Sequence, residues 1–312
     1  MTRRYVMRLR RPRFRAARTP VVTPRGSTLR LVMLGILSVS LVVAVWLGTT
    51  QTVAGQQIAD MILYGRVVAD PAVLGAATET LTTVSLAFAG TAALGLLLLA
   101  LVRGGLGLAI AVIALFGGAN LTAQALKVLL ERPNLLGDAA YAAGNSFPSG
   151  HVTIAASLGL ACVLVVPRRV RTPMAVVAAT LIAAVGVSTM IAGWHRLADV
   201  EGAILISLAW AALVTAILVQ AQGWMPRQTW GRGRGGMAMT LAGVLGTVVA
   251  MAGVAGIVVV GIEPTPLAQL FATQEVAPRT FVAALAIAAG TALTGCAGYV
   301  WAMRGVAFEP PG

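Results

Sequence analysis

The sequence predicts an all-helical integral membrane protein, and three observations support this fold class. Of the 312 residues, 58% are hydrophobic and only 11% are charged. The mean hydropathy is +0.87, whereas soluble globular domains carry about 25% charged residues. The third observation is that the sequence contains eight apolar stretches, and a stretch of about 20 apolar residues crosses a bilayer core as a helix. This composition excludes a soluble globular domain.

The positions of the apolar stretches divide the chain into five parts. A long basic start followed by an apolar stretch favours a signal anchor over a cleaved signal. We expect a cytoplasmic Arg-rich tail (1–30), a six-span membrane domain (31–222), a basic cytoplasmic loop (223–236), two additional transmembrane helices (237–304) and a C-terminal tail (305–312). The predicted spans are 31–50, 76–102, 105–127, 150–166, 174–194, 202–220, 237–261 and 281–303.

The distribution of basic residues predicts the orientation of these spans. The net charge is +13, and ten arginines lie in residues 1–30. This tail is typical of a topology signal beside anionic headgroups rather than of a nucleic-acid site, because no aromatic residues are interleaved with it. With the N-terminus inside, 18 of the 23 basic residues are cytoplasmic, as the positive-inside rule requires. We expect both termini in the cytoplasm of a bacterial cell, and five external basic residues: Arg66, Lys127, Arg132, Arg196 and Arg279.

Two parts of the chain carry no functional prediction. The apolar spacing in residues 55–74 suits a helix lying on the outer leaflet, but an ordinary ordered loop explains the segment as well. Beyond residue 222 the sequence shows no catalytic pattern, so we interpret spans seven and eight as an addition to a six-span working unit.

The first group of reactive residues lies at the end of the third span. Asn120, Gln124 and Lys127 recur at helical spacing, so they share one face of the helix. Arg132 and Pro133 follow in the loop. A polar stripe on an apolar helix is expected to face the bundle interior, although helix–helix hydrogen bonds and a lysine reaching the interface would also explain it.

The second group is GNSFPSGHVT at residues 144–153, which leads directly into the fourth span. Pro148 suits a first helical turn, and the small Ser149 and Gly150 are expected to leave their backbone N–H groups uncovered. Free amides at a helix N-terminus bind anions. His151 stands beside them and can supply a proton there.

The third group lies between the fifth and sixth spans, where His195 and Asp199 are four residues apart. If this turn is helical, the carboxylate accepts the imidazole N–H and leaves the other ring nitrogen free to attack. A purely structural His–Asp contact at the interface is the alternative.

Together the three groups resemble the type 2 phosphatidic acid phosphatase superfamily, whose fold is shared with vanadium-dependent haloperoxidases. Its pattern is K-x6-R-P, then P-S-G-H, then S-R-x5-H-x3-D. The second block is matched completely by Pro148 to His151, and the core of the third by His195 and Asp199. Order, spacing and the six-span architecture agree over about residues 31–222.

The sequence departs from this pattern at two arginine positions. With Lys127 as the lysine, the Arg-Pro pair would occupy positions that hold Asn134 and Leu135, and the arginine of the third block is replaced by Thr189. Losing two arginine–phosphate contacts weakens binding by several kcal/mol unless other cations substitute. We expect Arg132 to be the first substitute and Arg196 the second.

The resemblance implies a membrane lipid phosphate phosphatase that works through a phosphohistidine without a metal or other cofactor. Candidate substrates are phosphatidic acid, phosphatidylglycerol phosphate and a polyprenyl phosphate or diphosphate, presented at the outer membrane face. A non-hydrolytic phospholipid-binding protein and a lipid phosphotransferase remain open, whereas a transporter is disfavoured because charges at the membrane midplane are missing. The implied catalytic residues are His195, His151 and Asp199, and the implied phosphate-binding residues are Lys127, Arg132, Ser149, Gly150 and Arg196.

Overall fold

The computed structural model is an all-helical bundle in the part of the chain that it describes. That part comprises residues 24–66, 69–83, 86–140, 142, 144–221, 234–261 and 276–306, so most of the Arg-rich tail and of the basic loop lies outside it. Its helices are α1 (Pro24–Thr50), α2 (Val53–Gly65), α3 (Pro71–Thr83), α4 (Leu86–Leu129), α5 (Gly150–Val165), α6 (Arg168–Ile191), α7 (Leu197–Ala221), α8 (Arg234–Gly261) and α9 (Val276–Ala302).

Six of these described helices are long and apolar enough to cross a membrane: α1, α4, α6, α7, α8 and α9. Helix α4 consists of two arms, because Gly105 has a φ of 65° and a ψ of −161°, far from helical values. A φ in this region favours glycine, which has no Cβ to clash. The two arms correspond to the predicted second and third spans, and the shorter α5 corresponds to the fourth. The protein is therefore a multi-pass membrane protein.

The structure corrects the predicted second span, which is divided between α3 and the first arm of α4. The segment before the division is rich in threonine. Thr82 and Thr83 both donate from Oγ1 to the carbonyl of Glu79, over 2.8 and 3.0 Å. Hydroxyl groups that bond back to their own helix, together with β-branched side chains, weaken and bend it.

The two ends of the bundle differ in their arginines and in the helices that begin or finish there. At one end, Arg30, Arg103 and Arg171 donate to the carbonyls of Arg304, Val165 and Val306, over 2.7, 2.9 and 2.9 Å. Cations there stabilise the negative carboxyl ends of helices. At the other end, the second arm of α4 and helix α6 finish, and α5 and α7 begin. The sequence groups predicted to carry the chemistry meet at this second end.

Helix α2 corrects the expectation for residues 55–74. Residues 53–65 form a helix rather than an ordinary loop, and the face with Gln56 and Asp60 is buried among other helices. A Cβ on Gly65 would lie 2.6 Å from the carbonyl carbon of Ala277 and 2.9 Å from Cβ of Phe281, so only glycine permits this approach to α9. The predicted eighth span therefore packs directly against α2.

Candidate active site

The turn between α6 and α7 presents His195. The carbonyl of Thr189 accepts the backbone N–H groups of Trp194 and His195, over 3.0 and 3.3 Å. Gly193 has a φ of 73°, which lets the chain reverse within this short turn. His195 thus precedes α7, and its side chain is 11% exposed.

Asp199, in the first turn of α7, holds the His195 imidazole. Its Oδ2 lies 3.3 Å from Nδ1 of His195. The same oxygen accepts the backbone N–H of Arg196 over 2.8 Å and the Ser146 hydroxyl over 2.6 Å. Since the carboxylate is buried and fixed by these donors, it favours the tautomer with the proton on Nδ1, which leaves Nε2 without a proton.

The polar stripe of the second arm of α4 faces α5, as the sequence predicts. Asn120 donates to Oγ of Ser157 over 3.2 Å. A Cβ on Gly150 would lie 3.6 Å from Nζ of Lys127 and 3.8 Å from Nε2 of Gln124. The ammonium group of Lys127 therefore lies at the first turn of α5, beside the position predicted for phosphate.

His151 lies near both other reactive residues. Its ring centroid is 5.5 Å from that of Trp194, which is the residue before His195. Lys127 and His195 are both close enough to act electrostatically on His151. The structure therefore brings the lysine and the two histidines, which the sequence places in three separate groups, to one end of the bundle.

The N-terminus of α5 corrects one expectation. The backbone N–H of Ser149 is not uncovered, because it donates to the carbonyl of Asp199 over 2.9 Å and Ser149 is fully buried. Its hydroxyl caps the helix by accepting the N–H of Val152 over 3.5 Å. Gly150 opens the helix, where helix geometry provides no intrahelical acceptor for its amide. Of the two amides, that of Gly150 is the one suited to an anion.

Arg132 and Arg196 converge on a carboxylate that the sequence analysis did not select. Asp60 Oδ1, on α2, lies 3.4 Å from Nη2 of Arg132 and 3.6 Å from Nε of Arg196. Burial, followed by the neighbouring Arg196, lowers the pKa of Arg132, and Asp60 only partly opposes this effect. Arg196 also donates to the Ser146 hydroxyl over 3.0 Å and to the Ala142 carbonyl over 2.6 Å.

Two cavities distinguish these arginines. A cavity of about 220 Å³ is lined by His195, Arg196 and Ser146, together with Leu63, Ala142, Gly144, Asn145, Gly193 and Trp194. Arg132 instead lines a space of only about 10 Å³, which it shares with Arg196 and Asp199. Such a space holds about one water molecule. Arg196 thus lines the larger cavity together with His195, whereas Arg132 lines only the smaller space.

The two positions that lack the expected arginines hold no cation in the structure. Thr189 is buried and donates to the carbonyl of Gly186 over 2.7 Å. Asn134 donates to the Gly137 carbonyl over 3.2 Å at the surface of the loop. Neither side chain is suited to neutralise a phosphate.

Comparison with known proteins assigns one segment of the chain to a family. Residues 105–222, which are less than half of the chain, match the model of the PAP2 superfamily. This matched segment is called the PAP2 domain below. The match begins at the glycine between the two arms of α4 and ends directly after α7, so α1 to α3 and the last two helices lie outside it.

A solved structure is similar to this chain, whereas no curated protein matches its sequence. The structure is a transmembrane PAP2-type phosphatidylglycerolphosphate phosphatase from Bacillus subtilis, with 20% sequence identity and a TM-score of 0.47. The similarity covers 60% of this chain and 95% of that one.

Sequence reasoning missed the site residues that α2 and the loop before α5 bring to the PAP2 domain. Gln56 donates from Nε2 to the Pro133 carbonyl over 2.6 Å and accepts the Leu135 amide over 3.2 Å, which fixes the loop that carries Arg132. Gln56 and Asp60 are one helical turn apart in an apolar segment. This spacing could have revealed the contact from the sequence, because two polar side chains buried on one helix face require hydrogen-bonding partners.

Proposed function

We propose that this PAP2 protein is a membrane lipid phosphate phosphatase that hydrolyses a phosphomonoester or diphosphate through a phosphohistidine. The observation that carries the proposal is the His195 imidazole, whose Nδ1 contacts the buried Asp199 beside a cavity of about 220 Å³. The match of residues 105–222 to the PAP2 superfamily also supports the proposal. An oriented imidazole with a free nitrogen in a cavity is a nucleophile that can reach phosphorus.

In the first step, Nε2 of His195 attacks phosphorus and the bond from phosphorus to the lipid oxygen breaks. His151 donates a proton to the leaving oxygen, so the lipid leaves as a neutral alcohol, or as a phosphate when the substrate is a diphosphate. Asp199 stabilises the positive charge that His195 gains.

In the second step, water attacks the phosphohistidine and transfers a proton to His151. The nitrogen–phosphorus bond breaks, and inorganic phosphate leaves with His195 restored. Positioned cations and amides stabilise the equatorial oxygens as their charge grows. The groups proposed for this are Lys127, Arg196 and the Gly150 amide, with Arg132 behind Arg196 and Ser149 shaping the turn.

The contacts that Asp60 makes with Arg132 and Arg196 are weak enough for both arginines to contribute to phosphate binding. The separations of 3.4 and 3.6 Å exceed the 2.7–2.9 Å that is typical of charge-assisted N–H···O bonds. A phosphate oxygen would therefore replace a weak ion pair with a stronger one. We propose Arg196 as the direct substitute for a missing arginine and Arg132 as its support, which reverses the order expected from the sequence.

We further propose that the site faces the extracytoplasmic side of a bacterial cell membrane. Its support is the positive-inside distribution, since the arginines of the opposite end would then lie in the cytoplasm. A lipid could present its headgroup at this end while its chains stay between the helices. Phosphatidic acid, phosphatidylglycerol phosphate and polyprenyl phosphates or diphosphates all meet this requirement.

The test is release of inorganic phosphate by detergent-purified protein from these lipids, with EDTA present. We expect release by the wild type, loss of at least about a thousandfold in His195→Ala, and a clear decrease in Arg132→Ala. Asn134→Ala, an exposed change in the same loop, is the matched control and should retain activity. Phosphate release by His195→Ala at the wild-type rate would exclude the proposed nucleophile.

The intermediate can be tested separately with a substrate labelled at phosphorus. When wild-type protein is quenched with alkali during turnover, label should be found on the protein in an acid-labile, alkali-stable form, and it should be absent from His195→Ala. Transfer of this label to an added lipid or sugar alcohol in place of water would indicate a phosphotransferase. Lipid binding that survives in His195→Ala, with no turnover by the wild type, would indicate an accessory binding protein.

A further inference from the structure

Arg66 lies at the His195 turn although it directly follows α2, outside the segment that matches the PAP2 superfamily. A Cβ on Gly193 would lie 2.5 Å from Cζ of Arg66 and would overlap its Nε. The guanidinium group therefore packs directly on the backbone of Gly193, two residues before His195. Arg66 directly follows α2, and Leu63, three residues earlier, lines the same cavity as Gly193 and His195.

The guanidinium of Arg66 has hydrogen-bonding capacity that the described structure leaves unused. Its Nε is buried, and no described residue accepts a hydrogen bond from it. An N–H donor buried without an acceptor costs about 1–3 kcal/mol. A site that binds an anion is a setting in which this cost is recovered, because the phosphate oxygens supply the acceptors.

Arg66 also contacts the turn that follows Thr189, the residue at the position of the missing arginine. Thr189 occupies the place of that arginine, and its carbonyl fixes the turn by accepting the amides of Trp194 and His195. Arg66 contacts the same turn at Gly193. The residue after α2 therefore brings a cation to this turn, where α6 has Thr189 in place of an arginine.

We propose that Arg66, which packs on the lining residue Gly193, binds the phosphate-bearing headgroup beside the His195 cavity and serves as the third cation of the site. The inference rests on the proposed function and deepens it, because it assigns substrate recognition to a helix outside the PAP2 domain. Arg66 acts together with Lys127 and Arg196 on the phosphate oxygens.

The kinetic test compares Arg66→Met and Arg66→Lys with Arg279→Met in the full-length protein. Arg279 is an exposed arginine near the start of α9, at the same end of the bundle, so its replacement is a matched loss of charge. We expect Arg66→Met to raise KM for the lipid phosphate, and the inhibition constant of inorganic phosphate, by roughly ten- to a hundredfold. Arg66→Lys should recover part of the loss, and Arg279→Met should stay within about twofold of the wild type.

A binding test separates this proposal from the catalytic one. Binding of dioctanoyl phosphatidic acid is measured in His195→Ala and in His195→Ala/Arg66→Met, both checked for a single peak by size-exclusion chromatography. Weaker binding in the double variant supports the role of Arg66 even if the wild type shows no turnover. Equal binding in the two, or no binding by His195→Ala, overturns the role of Arg66 even if the wild type hydrolyses lipid phosphates.

Discussion

Replacing Asp60 with asparagine tests whether α2 is joined to the PAP2 domain by charge. Asp60 is 1% exposed, and its carboxylate faces the guanidinium groups of Arg132 and Arg196. Asparagine keeps the shape of the side chain but removes its charge, so two buried cations lose their counter-ion. Breaking a buried pair in this way costs about 3–5 kcal/mol. Because the contacts of 3.4 and 3.6 Å are long, we expect the lower end, about 3 kcal/mol.

The assay is unfolding by SDS in mixed micelles, followed by circular dichroism. Asp138→Asn, an exposed carboxylate at the same end, is the control and should change the free energy of unfolding by less than about 0.5 kcal/mol. A double-mutant cycle with Arg132→Met should give a coupling of about 1 kcal/mol or more, because removing both partners costs less than removing one. Zero coupling, together with equal stability of the two asparagine variants, would refute the reasoning.

Two further changes test the surroundings of the site. Ser146→Ala removes a hydroxyl that donates to Asp199 over 2.6 Å. We expect kcat for phosphate release to fall by about tenfold with little change in stability. An unchanged kcat would show that the Asp199 carboxylate is held in place without this hydroxyl. Gly65→Val should displace α2, because the new Cβ meets the backbone of Ala277, which cannot rotate away. Activity should fall well below that of the control Gly75→Ala, whose Cβ has no neighbour within 4 Å, and equal activities would show that α9 does not position α2.

The sequence allowed the fold class and the chemically reactive groups to be predicted, because each leaves a local signal. Apolar length predicts spans, and the helical spacing of Asn120, Gln124 and Lys127 predicts a face directed into the bundle interior. The contact between Asn120 and Ser157 confirms that prediction. The spacing of His195 and Asp199 likewise predicts a contact that the structure confirms. These features depend on residues within a few turns of one another.

Whether an individual amide or side chain is free to bind phosphate was harder to predict. The Ser149 amide was expected to be free, but the Asp199 carbonyl occupies it. Arg132 was expected to be the principal substitute for a missing arginine, yet its side chain is directed towards Asp60 and a space too small for phosphate. Each outcome depends on a partner at least 50 positions away, and sequence spacing carries no information about such a partner.

By itself, the sequence determined an all-helical membrane protein with a lysine and two histidines expected at one face of the membrane. Only the tertiary structure decided that α2 enters the site, that Asp60 faces two arginines and that Arg66 packs on the His195 turn. Apolar length and helical periodicity are local properties, which solvation and backbone geometry impose on each segment separately. The position of α2 depends instead on its packing against α9, which is distant from it in sequence. The two helices meet only when the bundle closes.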